Sequence, residues 1–256
     1  MKLTAKLMAI QANTQYPSVI FVDLDGVLAD TREPDKAVHH HLASLENQTI
    51  DNEEAAKRSQ SYLLTRPTKK LPLIADHQHT AFIEEKIAHI LEWNRRYYQH
   101  HIPIFDEVIS QLEQLQELMP EVPIVIMTNA HSEYAHKYFG VNTLFDDILC
   151  ADHHELGELK SCRMRAWCEQ RSFDFCRSIL ITDGPNDAFC LEDHESQFPL
   201  ENCFVVGWGI LGDDVFDHIV HLPVQHILKP SSIVGAIQSW VKQQSVKSSA
   251  ESLSTL

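Results

Sequence analysis

Short apolar segments of four or five residues recur along the sequence, and longer segments with helical periodicity separate them. The predicted strands cover residues 18–22, 123–127, 147–150, 178–181 and 203–206. Residues 105–118 carry apolar side chains on one helical face, and residues 161–170 and 232–241 are further predicted helices. Strands that alternate with helices form a parallel sheet covered by helices on both faces. The sequence therefore predicts an α/β core.

One long interval, residues 30–101, contains no strand pattern. It holds three predicted helices, at residues 35–45, 53–64 and 80–100. About 70 residues is far longer than the usual connection of roughly 2–6 residues between elements of an α/β core, so the interval is predicted to be a small second domain. The predicted domains are a core at residues 1–29 and 102–244, an all-helical insertion at residues 30–101, and a flexible Ser-rich tail at residues 245–256.

The charge balance argues against two classes of partner, although a local cationic pocket remains compatible with it. The chain has 256 residues, of which 36 are acidic and 21 basic, and its formal net charge is −15. Nucleic acids and anionic membranes repel such a surface, so neither is a predicted partner. No segment approaches the roughly 20 apolar residues of a membrane span, and the first 16 residues lack the apolar core of a signal peptide. We therefore expect a cytoplasmic protein. The sequence does not indicate its oligomeric state.

The cysteines and histidines show no metal-binding spacing. The six cysteines form no CxxC pair, and we expect free thiols. The sixteen histidines include a triplet at residues 39–41. Adjacent residues on a helix point about 100° apart, so a helical triplet cannot converge on one ion. We therefore expect these histidines to be solvated or hydrogen-bonded.

Acidic residues stand where several predicted strands end. Asp23 and Asp25 follow the first strand and precede Gly26. An isolated Asp-x-Asp-Gly more often forms an acidic turn, but open parallel sheets bind ligands at the carboxyl ends of their strands. The other polar residues at or after strand ends are Thr128, Asn129, Lys160, Asp183 and Asp187.

These residue types suit a phosphate group. A carboxylate nucleophile that faces a phosphate dianion needs its charge offset, and Mg²⁺ with oxygen ligands and a lysine ammonium can do this together. A hydroxyl group and backbone amides add uncharged donors. Asp23, Asp183 and Asp187 would repel one another without a cation. The pattern therefore predicts a magnesium-dependent phosphate site.

The motifs resemble those of the haloacid dehalogenase-like superfamily. The matching positions are residues 23–27 for the first motif, Thr128 for the second, Lys160 for the third and residues 183–187 for the fourth. They occur in the family's order, and the resemblance covers residues 18–222. It implies a Rossmann-like core and identifies residues 30–101 as a helical cap inserted between the first and second motifs.

The resemblance also implies a role for each matching residue. Asp23 would attack phosphorus and form an aspartyl phosphate, while Asp25 would act as general acid and then as general base. The implied Mg²⁺ ligands are Asp23, Asp25 through its backbone carbonyl, Asp183 and Asp187, and the implied phosphate ligands are Thr128, Asn129 and Lys160. Asp25 favours phosphate chemistry, since dehalogenases of the family lack this acid. Arg163, which follows Lys160 closely, is a further candidate for the phosphate role.

Three functions remain open from the sequence. The first is a magnesium-dependent phosphatase that acts on a small phosphorylated metabolite under a closing cap. The second is a phosphoprotein phosphatase with the same chemistry. The third is a catalytically silent interaction protein that docks partners through the helical insertion, with Trp93, Tyr97 and Tyr98 as candidate surface residues.

Overall fold

The computed structural model describes residues 16–64, 102–153, 159–192 and 197–254, and these residues contain a six-stranded parallel sheet with helices on both faces. The strands are β1 (Ile20–Val22), β2 (Ile124–Met127), β3 (Asp147–Leu149), β4 (Ile179–Thr182), β5 (Cys203–Val206) and β6 (Gln225–Ile227). The helices are α1 (Arg32–Leu45), α2 (Asn52–Leu64), α3 (Asp106–Leu118), α4 (Ser132–Phe139), α5 (Lys160–Arg171), α6 (Pro185–Glu192), α7 (Val215–Ile219) and α8 (Ile233–Ser254). The predicted α/β class is confirmed.

The strand order places the carboxyl ends of three strands side by side. The order is β3-β2-β1-β4-β5-β6, and all neighbours are parallel. Val22 lies opposite Ile126 of β2 and Ile181 of β4. The chain runs outward from β1 to β3 and returns on the other side of β1 to form β4. A crevice opens where the order reverses, and in such sheets ligands bind there.

Strand β1 is held from both faces of the sheet. Ile20 and Val22 pack in one apolar cluster and Val19 and Phe21 in another, as the alternation of side chains along a strand requires. Helices α3 and α8 contribute to the first cluster, and α5 and α6 contribute to the second. This double burial fixes β1 in the centre of the sheet.

The predicted helices and strands agree with the structure in the described residues, with three differences. Strand β6 was not predicted, because Gln225 and His226 interrupt the apolar run that marks the other strands. Helices α4, α6 and α7 were not predicted as separate elements. Helix α8 continues to Ser254, beyond the point at which the sequence predicts a flexible tail, since no Gly or Pro stops it. None of the described helices, including α8, is long and apolar enough to span a membrane.

The two connections between the core and the inserted segment are hydrogen-bonded to each other. Ala29 and Ile104 form an antiparallel bridge. The Asp30 N–H donates to the Pro103 carbonyl at 2.8 Å, and the Phe105 N–H donates to a carbonyl of the other connection at 2.9 Å. The insertion therefore leaves and rejoins the core at one place. Its predicted third helix, at residues 80–100, and the three aromatic residues named above lie outside the described residues.

Candidate active site

Asp23 occupies the position directly after β1. Its N–H donates to the Ile181 carbonyl at 2.9 Å, which continues the pairing of β1 with β4. Its Oδ1 accepts a hydrogen bond from the Leu24 N–H at 2.8 Å, and its Oδ2 lies 2.5 Å from Lys160 Nζ. Only 6% of the residue is exposed. The carboxylate is therefore held in one orientation at the end of the central strand.

Lys160 joins two of the predicted acidic residues. It is buried at the start of α5, and its Nζ donates to Asp187 Oδ2 at 2.7 Å as well as to Asp23. Thr182 Oγ1 lies 2.7 Å from the same Asp187 oxygen and 3.3 Å from Asp23 Oδ2. The ammonium and the hydroxyl thus connect the ends of β1 and β4.

Asp25 is carried by a tight turn that glycine makes possible. The Gly26 N–H donates to the Ala29 carbonyl at 2.8 Å, and Gly26 has a φ of +75°, in the left-handed region that glycine tolerates best. The Tyr134 hydroxyl of α4 donates to Asp25 Oδ1 at 3.1 Å. Asp25 is partly exposed, so the turn presents its carboxyl group beside Asp23.

Two glycines leave space for the third acidic side chain, Asp183. A Cβ atom at Gly26 or at Gly209 would collide with the Asp183 carboxylate. Asp183 Oδ2 accepts a hydrogen bond from the Ile210 N–H at 3.0 Å, and only 3% of the residue is exposed. Substitution of either glycine would therefore displace this carboxylate.

Burial and mutual repulsion shift the pKa values of this cluster. Burial raises the pKa of Asp23 to about 6, against the opposing effect of the Lys160 charge. Burial and the Asp23 charge raise the pKa of Asp25 to about 7 and that of Asp183 to about 8. Burial acts to lower the pKa of Lys160, but the Asp187 and Asp23 charges outweigh it and the pKa is raised. The raised pKa values favour the neutral carboxyl forms, so these side chains need a cation beyond Lys160 to be charged together.

The end of β2 forms the opposite side of the site. Thr128 is fully buried and its Oγ1 accepts a hydrogen bond from the Ala130 N–H at 2.9 Å. Arg163 is only 1% exposed; its Nη1 donates to the Thr128 carbonyl at 2.8 Å, and its Nη2 donates to Asn129 Oδ1. The structure therefore directs Arg163, a further phosphate candidate from the sequence, to the loop that carries Asn129.

This contact gives a testable prediction. We expect Arg163→Lys to lower kcat/KM about 10- to 100-fold and to weaken inhibition by inorganic phosphate in parallel. An ammonium group cannot hold the Thr128 carbonyl and the Asn129 amide in the fixed geometry of a guanidinium. A displacement of about 1 Å near a reacting group lowers the rate by that factor. Arg171→Lys, whose parent side chain contacts Asp147 at 3.1 Å, is the matched control and should behave as wild type. A folded Arg163→Lys protein with unchanged phosphate inhibition would contradict the positioning role.

The strand ends and the helices of the insertion border a cavity of about 150 Å³. On the core side it is lined by Asp23, Asp25, Asn129, Ala130, Lys160, Asp183, Asn186, Asp187 and Ile210. On the other side it is lined by Thr31 and by Asp35, Val38, His39 and Leu63 of α1 and α2. Six of the seven predicted site residues therefore border one cavity, and the seventh, Thr128, precedes Asn129 and is fully buried.

The residues in the cavity fit a magnesium ion by their donor atoms and charge. Four carboxylates of the core wall face a single lysine among the described residues. Carboxylate and backbone oxygens are the ligands that Mg²⁺ prefers, and a divalent ion offsets the repulsion among them. No three His, Cys or acidic side chains in the described ranges are already arranged around one metal position. Lys160 lies instead between Asp23 and Asp187.

Sequence reasoning did not assign several polar residues of this site. Tyr134 and Thr182 contact the acidic side chains, and Thr31, Asp35 and His39 line the cavity from the insertion. The last three are spaced by four residues, which places them on one helical face, and this spacing is visible in the sequence. Tyr134 gives no such signal, since it lies 109 residues from its partner.

Comparison with known proteins agrees with this architecture. A family model of haloacid dehalogenase-like hydrolases matches residues 17–193. A structure from Clostridium acetobutylicum, described as a predicted phosphatase, is 17% identical with a TM-score of 0.62, over 88% of this chain and 99% of that one. A haloacid dehalogenase-like family hydrolase from Streptococcus pneumoniae is 17% identical with a TM-score of 0.60, over 87% and 98%.

A third structure, a predicted phosphoglycolate phosphatase from Haemophilus somnus, is 13% identical with a TM-score of 0.56, over 87% of this chain and 98% of that one. At these identities the likeness is one of fold. No curated protein matches the sequence.

Proposed function

This chain belongs to the haloacid dehalogenase-like hydrolases, and from that membership we propose that it is a magnesium-dependent phosphatase that hydrolyses a small phosphorylated metabolite. The observation that carries the proposal is the placement of Asp23 and Asp25 at the end of the central strand, in one cavity with Lys160. Two of the similar structures are described as phosphatases, which also supports it.

In the first chemical step, an oxygen of Asp23 forms a bond to phosphorus as the bond between phosphorus and the leaving oxygen breaks. Asp25 gives its proton to that leaving oxygen. The hydrogen bond from Leu24 orients Asp23, and Lys160 offsets negative charge beside it. The products of this step are an alcohol and an aspartyl phosphate on Asp23.

In the second step, a water molecule attacks phosphorus and the bond from phosphorus to Asp23 breaks. Asp25, now ionised, takes the proton of that water, which returns both carboxyl groups to their starting states. Tyr134 holds Asp25 in place for both transfers. Asn129, held by Arg163, and Lys160 bind the phosphate oxygens in this proposal.

Asp23, the backbone carbonyl of Asp25, and Asp183 would hold the magnesium ion, with Asp187 supporting them. When bound, this ion neutralises charge on the phosphate and on the carboxylates. Gly26 and Gly209 leave room for the Asp183 side chain, and this room is the structural feature that favours Asp183 as a ligand.

The size of the cavity favours a small substrate. Pockets for drug-sized ligands occupy roughly 300–1,000 Å³, whereas this one has a volume of about 150 Å³. Helices α1 and α2 lie over it and contribute Val38 and Leu63 to its wall. A phosphorylated side chain on a folded protein would have to reach Asp23 past these helices.

The proposal is tested by the rates on a panel of small phosphate esters and phosphopeptides, measured with and without Mg²⁺. We expect turnover of small esters that chelator removes and Mg²⁺ restores. Turnover of phosphopeptides alone would favour the phosphoprotein phosphatase, and binding without any turnover would favour the silent interaction protein.

The metal assignment has its own test. We expect Asp183→Asn to raise the Mg²⁺ concentration for half-maximal activity about 10-fold or more, since even residues behind a metal's ligands contribute about 10- to 100-fold to its affinity. Mg²⁺ should also raise the melting temperature of the wild type, because it binds only the folded state, and should do so less for the variant. Equal thermal stabilisation of both proteins would argue against Asp183 as a ligand.

A further inference from the structure

Thr31 places a buried hydroxyl group at the edge of the catalytic cavity. It precedes the first residue of α1, yet its side chain does not cap the helix. The residue is only 1% exposed, and its Oγ1 has no hydrogen-bond partner among the described residues. A buried hydroxyl without a partner is costly, and such groups usually meet a ligand or water. Thr31 also lines the cavity, so a molecule bound there is the candidate partner for this hydroxyl.

Asp35 stands one helical turn further along and borders the same cavity. It is joined to α2 by a hydrogen bond from the Ser59 hydroxyl, and His39 Nε2 lies 3.9 Å from the same carboxylate oxygen. Burial and the Asp23 charge are the main causes that raise the pKa of Asp25, and the Asp35 charge raises it further. Asp35 therefore shares this cavity with Asp23 and Asp25.

The charges around the cavity disfavour an acidic leaving group. The described lining residues include one lysine, Lys160, and no arginine. Lys160 already binds Asp23 and Asp187. A carboxylate on the leaving group would face Asp35, beside which the described part of the wall places no lysine or arginine. Like charges at short range repel, so such an approach is unfavourable.

We propose that Thr31 and Asp35 bind a hydroxyl group of the leaving alcohol, so that the preferred substrates are phosphate esters of small neutral polyols. The Asp35 carboxylate accepts from that hydroxyl, and the Thr31 hydroxyl completes its hydrogen bonding. Val38 and Leu63 of the same wall contact the carbon atoms. This inference rests on the proposed phosphatase function and names the substrate class of the same site.

The inference is tested with four phosphate esters of similar size: 2-hydroxyethyl phosphate, propyl phosphate, 2-aminoethyl phosphate and phosphoglycolate. We expect kcat/KM for the hydroxyethyl ester to exceed that for the propyl ester about 10-fold or more, because a site built to bind a hydroxyl is left with unpaired polar groups by the analogue that lacks it. Phosphoglycolate should be the poorest substrate. Preference for the amine or for phosphoglycolate would overturn the inference.

Two variants assign the preference to its residues. Thr31→Val and Asp35→Asn should each bring the ratio of kcat/KM for the hydroxyethyl ester to that for the propyl ester toward one. Asp35→Asn should also raise kcat/KM for phosphoglycolate relative to that for the hydroxyethyl ester. Glu53→Gln is the matched control, because it also removes one negative charge from a helix of the insertion but at an exposed position on α2. It should keep the wild-type ratio. Melting temperatures show that each variant is folded.

The possible failures are distinct. If folded Thr31→Val and Asp35→Asn proteins kept the wild-type ratio, this inference would be wrong while the phosphatase function stood. Equal rates of hydrolysis for all four esters would also contradict this inference and leave the phosphatase function standing. If none of the four esters, nor any other in the broader panel, were hydrolysed, the phosphatase function itself would fall and this inference with it.

Discussion

Asp23→Asn is expected to lower the hydrolysis of every phosphate ester by about 10⁴-fold or more. An amide is too weak a nucleophile to form the acyl phosphate, and loss of a nucleophile removes the whole two-step route. The substitution keeps the shape of a side chain that is 6% exposed, so the hydrogen bond from Leu24 can persist. Initial rates on an aryl phosphate and on the preferred small ester measure the effect.

Three observations separate loss of the nucleophile from loss of the fold. Beryllium fluoride, which mimics an acyl phosphate on a carboxylate, should bind the wild type and not Asp23→Asn, as measured by calorimetry with Mg²⁺ present. The variant should retain a cooperative thermal transition. Asp106→Asn, an exposed change of the same kind on α3, should hydrolyse substrates normally. Undiminished hydrolysis by purified Asp23→Asn would exclude Asp23 as the nucleophile.

Asp25→Asn is expected to lower kcat by about 10²–10⁴-fold, the usual scale for loss of a general acid and base. The amide oxygen can still accept the hydrogen bond that Tyr134 donates, so the turn is preserved while the transferable proton is lost. The effect should depend on the leaving group. An alkyl ester needs its leaving oxygen protonated, whereas a nitrophenyl ester does not, so formation of the acyl phosphate should slow much more with the alkyl ester.

The control for this prediction is Tyr134→Phe, which removes the hydrogen bond to Asp25 and leaves its carboxyl group. We expect this variant to lose less activity than Asp25→Asn and to show a weaker dependence on the leaving group. A loss in Asp25→Asn that is equal for alkyl and aryl esters in single-turnover measurements would contradict the general-acid role.

Much of the core could be predicted because its signals are local. Each central strand is an apolar run of three or four residues that is buried on both faces, and such runs stand out in a sequence. The polar residues that follow β1 and β4 are adjacent to those runs. Strand β6 has no comparable signal, since only one of its three residues is fully buried.

The insertion could be placed by its length and helical pattern, but its contribution to the cavity could not be predicted. Asp35 and His39 appear in the sequence as two polar residues of an exposed-looking helix. Only the packing of α1 over the strand ends turns this face toward Asp25, and it also leaves the Thr31 hydroxyl buried. Periodicity shows which residues share a helical face, and it does not show what that face contacts.

The sequence by itself determined the parallel α/β core, the order of the motifs and the strand ends at which acidic residues stand, because apolar burial and chain direction suffice for these. Tertiary structure alone decided which side chains meet. Tyr134 reaches Asp25 across 109 residues, and Arg163 holds the loop of Thr128 and Asn129. Such contacts depend on how helices from distant segments pack on the sheet. Because a buried polar group needs a hydrogen-bond partner, its side chain then turns toward the partner that this packing brings near it.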